Sequence, residues 1–360
     1  MKKLLALLLA LVMVLSFAAC NNEKEPVDDN QSESESQSES ESQNEESQNE
    51  TTAATYKLGM GISVSTKSSK AGNAQVDATV ATVVLDADGK IVAADLDVAQ
   101  NRLAITDGVV DPTAFDARTK KEKKEDYGMK GVSGIQKEWY EQAEAFCEFA
   151  IGKTGAEIAA LETKEENGHN VAVDETLYAG CTMDITAFVD AFTKACNDEY
   201  AREFTADEFK LGLTAISTVN GSTASATADA DGKAYMYTEF AAVAVDKDGK
   251  ILAALVDTIQ PKIDFDTKGE ITNAVFNGTK KELKDDYGMR GVSSIAKEWF
   301  EQATAFEAYV IGMTAADVSA IETVESNGHM VPTDDVLLAG CTMQITGYQE
   351  SVVKAVENAK

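Results

Sequence analysis

Residues 119–146 read TKKEKKEDYGMKGVSGIQKEWYEQAEAF, and residues 279–306 read TKKELKDDYGMRGVSSIAKEWFEQATAF. The match is ungapped, and Asp126 and Asp286 mark its spacing of 160 residues. The same spacing relates LDADGKI at 85–91 to VDKDGKI at 245–251, and Gly168-His169 to Gly328-His329. The starts, YKLGMGIS at 56–63 and FKLGLTAIS at 209–217, fit a slightly different offset. An internal repeat this long is far above solenoid periods. It implies two homologous domains, 55–199 and 205–360, joined by a short connector near DEYAREFT, each expected to fold on its own.

Within each repeat, strands come first and helices follow. AQVDATVATVVLDADGKIVAADLDVAQ (74–100) alternates apolar and polar residues on both sides of an Asp-Gly turn, a hairpin signal. Gly89 and Gly249 are the residues free to take positive φ there. GVSGIQKEWYEQAEAFCEFAIG (131–152) reads as a helix capped by Ser133 with Gln136 reaching back. Ile135, Trp139, Phe146 and Ala150 share one face of it, and Gly152 or Gly312 ends it. Thr154 with Glu157, and Thr314 with Asp317, open a shorter helix by the same logic. A last helix buries Ile185, Phe188, Phe192 and Cys196 in the first repeat, and Ile345, Tyr348, Val352 and Val356 in the second. The expected class is α+β: in each repeat an antiparallel sheet with helices packed on one face.

The N-terminal region is of another kind. MKKLLALLLALVMVLSFAAC (1–20) has a positive start, a short apolar run and small residues before a cysteine, the form of a secretory signal. Its end, Phe17-Ala18-Ala19-Cys20, resembles the lipobox of bacterial lipoproteins. That resemblance implies cleavage before Cys20, lipidation of its thiol, and anchorage to the extracytoplasmic face of the cell membrane. Residues 21–54 are rich in Ser, Glu and Gln with almost no apolar side chains, and read as a disordered tether. As a coil it spans on the order of 30 Å. The chain carries 61 acidic and 32 basic residues, a net charge of −29, which argues against binding nucleic acid. Five cysteines show no disulfide framework. Cys147 and Cys196 lack counterparts in the second repeat, and buried free thiols are the simpler reading.

No phosphate loop, zinc signature or nucleophile elbow is present. His169 and His329 stand one per repeat and read as turn residues. A hydrolase or transferase therefore has no nucleophile–base pair in its favour. DYGM, at 126–129 and 286–289, places Tyr127, Tyr287, Met129 and Met289 where they can line a flat ligand or fill the end of a core. LYAGCTMDIT (177–186) and LLAGCTMQIT (337–346) set Thr182 and Thr342 at or just before a helix N-terminus. Free N–H groups and the helix dipole favour a phosphate there, and Gly180 and Gly340 let a ligand approach. An N-cap threonine in a tight turn is the other reading of the same residues.

The hairpin with DGKI, the helices, and the small-Gly-small-Thr turn before a terminal helix resemble the FMN-binding domain family. In that family the turn reads Asp-x-x-Ser/Thr-Gly-Ala-Thr, and a flavin transferase esterifies the last threonine with FMN. Ala179 and Ala339 stand at the Ser/Thr position here, Cys181 and Cys341 at the alanine, and Thr176 and Val336 at the acid. Lipobox, tether and two such repeats are together similar in layout to flavin-bearing surface lipoproteins of Gram-positive extracellular electron transfer. The resemblance implies FMN on Thr182 and Thr342, the glycine role for Gly180 and Gly340, and electron exchange with redox partner proteins. The runner-up is the same fold without flavin, a ligand-binding or structural surface module.

Overall fold

The strand β2 shows how the layers are organised. Ala74, Val76, Ala78, Val80 and Val84 face one core, while Ala81, Val83 and Leu85 face another. A strand covered on both faces needs an almost continuous apolar run, which VATVVL supplies. The structure, a computed structural model, describes residues 53–360. The signal sequence, Cys20 and nearly all of the tether lie outside the described residues.

The first repeat comprises β1 (Ala54–Ser65), β2 (Asn73–Leu85), β3 (Ile91–Thr106), β4 (Val109–Val110), α1 (Lys120–Lys123), α2 (Trp139–Ala150), α3 (Gly155–Ala159), β5 (Thr163–Glu166), β6 (His169–Ala172), α4 (Glu175–Gly180) and α5 (Thr186–Cys196). After β7 (Arg202–Ala206) the second repeat runs through β8 (Lys210–Val219), β9 (Gly232–Val245), β10 (Ile251–Ile259), β11 (Lys262–Phe265), β12 (Ile271–Asn273), α6 (Lys280–Leu283), α7 (Trp299–Tyr309), α8 (Ala315–Ser319), β13 (Thr323–Ser326), β14 (His329–Pro332), α9 (Asp335–Leu338) and α10 (Thr346–Glu357). The fold is α+β, with antiparallel main sheets. The first sheet has the order β4-β3-β2-β1-β7. In the second, β8 pairs one edge of β9, β10 and then β11 pair the other, and β12 lies beyond β11.

The gap between β10 and β11 has a local cause. The first repeat runs through Asn101 as one strand, β3. The second has Pro261 at the matching position, and a proline cannot donate to a ladder. Asn101 instead uses its side chain, donating from Nδ2 to Thr238 Oγ1 of the other sheet at 2.9 Å, in a buried position.

The sheets meet face to face. Leu58, Met60, Val76 and Val80 share one apolar core with Leu211, Leu213, Phe240 and Leu255. Each sheet's outer face carries its own helices, around Trp139, Phe146 and Phe192 in one repeat and Trp299, Phe306 and Val352 in the other. The layers run helix, sheet, sheet, helix. Residues 53–360 therefore lie in one compact unit, and the expectation of two self-contained globules gives way to two halves with a common core. The expected connector is also a strand: β7 pairs with β1, Leu58 opposite Arg202. DEYAREFT looks polar, yet Phe204 is buried from it.

The terminal helices lie close on the sheets because the strands offer no side chain there. A Cβ on Gly61 would stand 2.2 Å from the Ala191 carbonyl oxygen, and one on Gly212 would stand 1.9 Å from that of Ala355. The Asp-Gly turns are as expected, with φ of +73° at Gly89 and +76° at Gly249. Thr154–Glu157 and Thr314–Asp317 form reciprocal capping boxes. The long helix differs from expectation. It starts at Trp139, capped by Glu138, because Gln136 holds a positive φ of 53° that no helix continues through. Ser133 sits in the preceding turn. Among the described residues no helix is long and apolar enough to cross a membrane.

Candidate functional site

Thr182 and Thr342 follow a helix and do not open one. α4 ends at Gly180, and the Cys181 N–H closes back on the Leu177 carbonyl at 2.8 Å. Cys341 does the same to Leu337, also at 2.8 Å. The terminal helices begin only at Thr186 and Thr346. In the first repeat the Asp184 carboxylate already accepts the Thr186 N–H at 2.9 Å. The threonines are thus on the negative side of one helix and a turn short of the next. Phosphate attraction by a helix dipole does not act at them, and neither serves as an N-cap.

What holds each threonine is a glutamine that the sequence analysis did not single out. The Thr182 N–H donates to Gln142 Oε1 at 3.0 Å, and its hydroxyl reaches the same oxygen at 3.4 Å. Thr342 repeats this on Gln302 at 2.8 and 3.3 Å. Gln142 Nε2 in turn donates to Ser133 Oγ at 3.1 Å, the Lys137 carbonyl at 3.2 Å and Met129 Sδ at 3.4 Å. Gln302 makes the same contacts with Ser293, Lys297 and Met289. Both glutamines are buried, so each bond is one that water does not replace. The Met129 and Met289 N–H groups are fixed by the buried carboxylates Glu138 and Glu298, at 2.9 and 2.8 Å. The two motifs, DYGM and AGCT, are therefore joined through one side chain. A sequence signal existed: Gln142 stands at i+3 from Trp139 on the apolar stripe, in both repeats.

The remaining candidates have packing roles. Gly180 and Gly340 let the turn rest on the long helix, since an added Cβ would lie 2.8 Å from Ala145 Cβ or 2.7 Å from Ala305 Cβ. Tyr127 and Tyr287 are half-buried and each faces a lysine: Lys120 Nζ lies 5.0 Å from the Tyr127 ring centre and 5.5 Å from that of Trp139. Lys280 lies 5.2 Å from both Tyr287 and Trp299. The Tyr287 hydroxyl donates to Gln260 Oε1 at 3.4 Å. Cys181 and Cys341 are fully buried, and burial pushes both thiols up to about 11. Such thiols are poor nucleophiles. His169 and His329 are exposed in the β5–β6 and β13–β14 hairpins, as turn-flanking residues. All four cysteines among the described residues are free.

An esterified FMN would meet the following surroundings at these threonines. They provide no anion cradle, because the Thr182 N–H is already used. They do fit an ester. Losing the hydroxyl proton gives up only the 3.4 Å contact, while the 3.0 Å N–H bond keeps the turn in place. Both threonines are partly buried.

Comparison with known proteins adds little. The chain is similar to a chlorophenol reductase from Desulfitobacterium hafniense, 31% identical over 137 residues, covering 33% of this chain and 42% of that protein. The chain thus spans less than half the length of this relative. No protein-family model matches the chain, and no solved structure matches it.

Proposed function

We propose that the protein is an extracytoplasmic lipoprotein, anchored through Cys20, that carries FMN on Thr182 and Thr342 and passes electrons to partner proteins. The observation that carries this reading is the threonine–glutamine pair, repeated with the same partners although the surrounding cores have diverged. Gln142 and Gln302 would fix the attachment turn through the threonine N–H, and Met129 and Met289 would sit beside it. Bound flavin would supply the redox chemistry, and the chain would supply attachment and orientation. Similarity to a protein named as a reductase is in keeping with a redox role. The net charge of −29 favours basic redox partners. A carrier of this kind needs a flavin transferase and is not itself a turnover enzyme.

A second reading, the same fold without flavin, is favoured by one observation: packing alone accounts for Gly180, Cys181 and the Thr182 N–H. One experiment separates the two. The chain is expressed with its export signal in a host that has a flavin transferase, then denatured and analysed by gel fluorescence and intact mass. Two added FMN masses are expected, one lost in each of Thr182→Ala and Thr342→Ala. A preparation with no added mass and no yellow colour sinks the flavin reading.

A further inference from the structure

The duplication lets one half of the molecule show what fits the other. In the second repeat the groove between β10 and α7 is filled by the chain itself. Arg202 Nη2 donates to Glu307 Oε2 at 2.7 Å and to the Thr304 carbonyl at 3.5 Å. The Tyr200 ring lies 6.0 Å from that of Phe300, with Lys281 Nζ 4.9 Å from its centre. The matching groove of the first repeat, between β3 and α2, is lined also by Leu211 and Lys360, whose backbones pair as those of Leu58 and Arg202 do, and keeps an unfilled volume of about 380 Å³. Its floor is apolar, with Ala93, Leu96, Ala143 and Cys147. Tyr140 takes the place of Phe300, and Lys121 that of Lys281. Glu144 and Glu148, on the rim, replace Thr304 and Ala308.

We propose that this groove binds an extended segment of a partner protein that presents an aromatic side chain and, two residues later, an arginine. The aromatic ring would lie on Tyr140 and Lys121, as Tyr200 lies on Phe300 and Lys281. The guanidinium would meet Glu144 and Glu148, which stand one helical turn apart and give a fork two carboxylates. That place is held by Lys360 Nζ, 3.6 Å from Glu144 Oε1 with both side chains exposed, a weak pair that a two-pronged guanidinium would displace.

The chain's own filler is the probe. A capped peptide of residues 200–204, YAREF, is titrated against the exported chain, with binding followed by anisotropy and located by hydrogen exchange. Protection is expected at 93–96 and 140–148. Alanine for the tyrosine or the arginine should weaken binding at least about tenfold. Glu144→Lys with Glu148→Lys should do the same while leaving circular dichroism unchanged, since both positions are exposed. Equal binding of a scrambled peptide, protection elsewhere, or no binding at millimolar peptide overturns the proposal. So does protection of these residues by free FMN but not by peptide, which would assign the groove to flavin.

Discussion

In the first repeat the carboxylate that neutralises Lys121 stands on a strand, at Asp95. In the second, Lys281 is neutralised from a helix, by Glu307 at 2.7 Å, where the first repeat has Cys147. Leu255 occupies the position of Asp95. The lysine is kept, and its counter-charge has moved from one element to another. What is required is a carboxylate within reach of a half- or fully buried ammonium, whichever element supplies it. The element still matters for what else is tied down. From α7, Glu307 also accepts the Val256 N–H at 2.9 Å and pairs with Arg202 at 2.7 Å. It therefore draws the segment between the repeats into its groove, and the first repeat, with a thiol there, leaves its groove partly unfilled.

The comparison breaks most visibly at Glu307. Its side chain is fully buried, and that of Lys281 is 6% exposed. Glu307→Cys, the residue of the first repeat, should cost about 3–5 kcal/mol because Lys281 and Arg202 are left without their carboxylate. Urea denaturation measures this. Adding Leu255→Asp puts a carboxylate where the first repeat has Asp95, at the cost of a fully buried leucine of the shared core, and should restore part of the loss. If the double variant is no more stable than the single one, the two carboxylate positions are not interchangeable and the comparison fails.

The same half has a second buried lysine with no equal in the first. Lys280 is 9% exposed, and burial drives its ammonium down to about 8, with Glu239 partly opposing. Glu239 in turn stands where Gly347 leaves room: a Cβ there would come within 1.9 Å of its carboxylate. The first repeat has Thr79 and Ala187 at these positions, and Lys120 is only half-buried. A lysine whose folded value lies below its ordinary 10.5 destabilises the native state in full below pH 8. That penalty is relieved as pH rises from 8 towards 10.5. Lys280→Met should therefore gain about 1–2 kcal/mol at pH 7 and flatten the rise in stability between pH 8 and 10. Lys120→Met should do neither. A loss of stability in Lys280→Met at pH 7 would mean that the two aromatic rings and Glu239 outweigh burial.

Sequence patterns made the halves legible and left their union hidden. The Asp-Gly hairpins, the threonine capping boxes and the buried stripes of the terminal helices depend on neighbours a few residues away. They could be read directly. β2 was read as alternating, in a sheet covered by helices on one face; its apolar run at 80–85 is buried on both faces, and alternation does not say what covers the second. β7 was read as a connector because Arg202, Glu203 and Thr205 are polar, yet Phe204 between them carries the strand into the core. At the site, Thr182, Met129 and Gly180 were identifiable by repetition alone. Their coupling was not, because Gln142 looks like a surface helix residue until the angle from Trp139 is followed. The displaced helix start has a similar origin: nothing in the letters gives Gln136 or Ala296 its positive φ.

The smallest expected effect lies under the terminal helices. β1 has glycine at 59 and 61, whereas β8 has Gly212 and then Thr214. The second repeat accommodates that extra side chain beneath its helix layer, but Thr214 Oγ1 is buried and finds no hydrogen-bond partner among the described residues. The position is 2% exposed, so water does not compensate freely. Thr214→Val keeps the shape and removes the unmet hydroxyl, and should stabilise by about 0.5–1 kcal/mol. A thermal shift of a few degrees upward would be seen by calorimetry. The first repeat offers no matching gain at Gly61, where the helix backbone fills the space a side chain would need. A lower melting temperature for Thr214→Val would show that the hydroxyl is satisfied after all, by a bound water. The two strands would then differ in hydration as well as in side-chain volume.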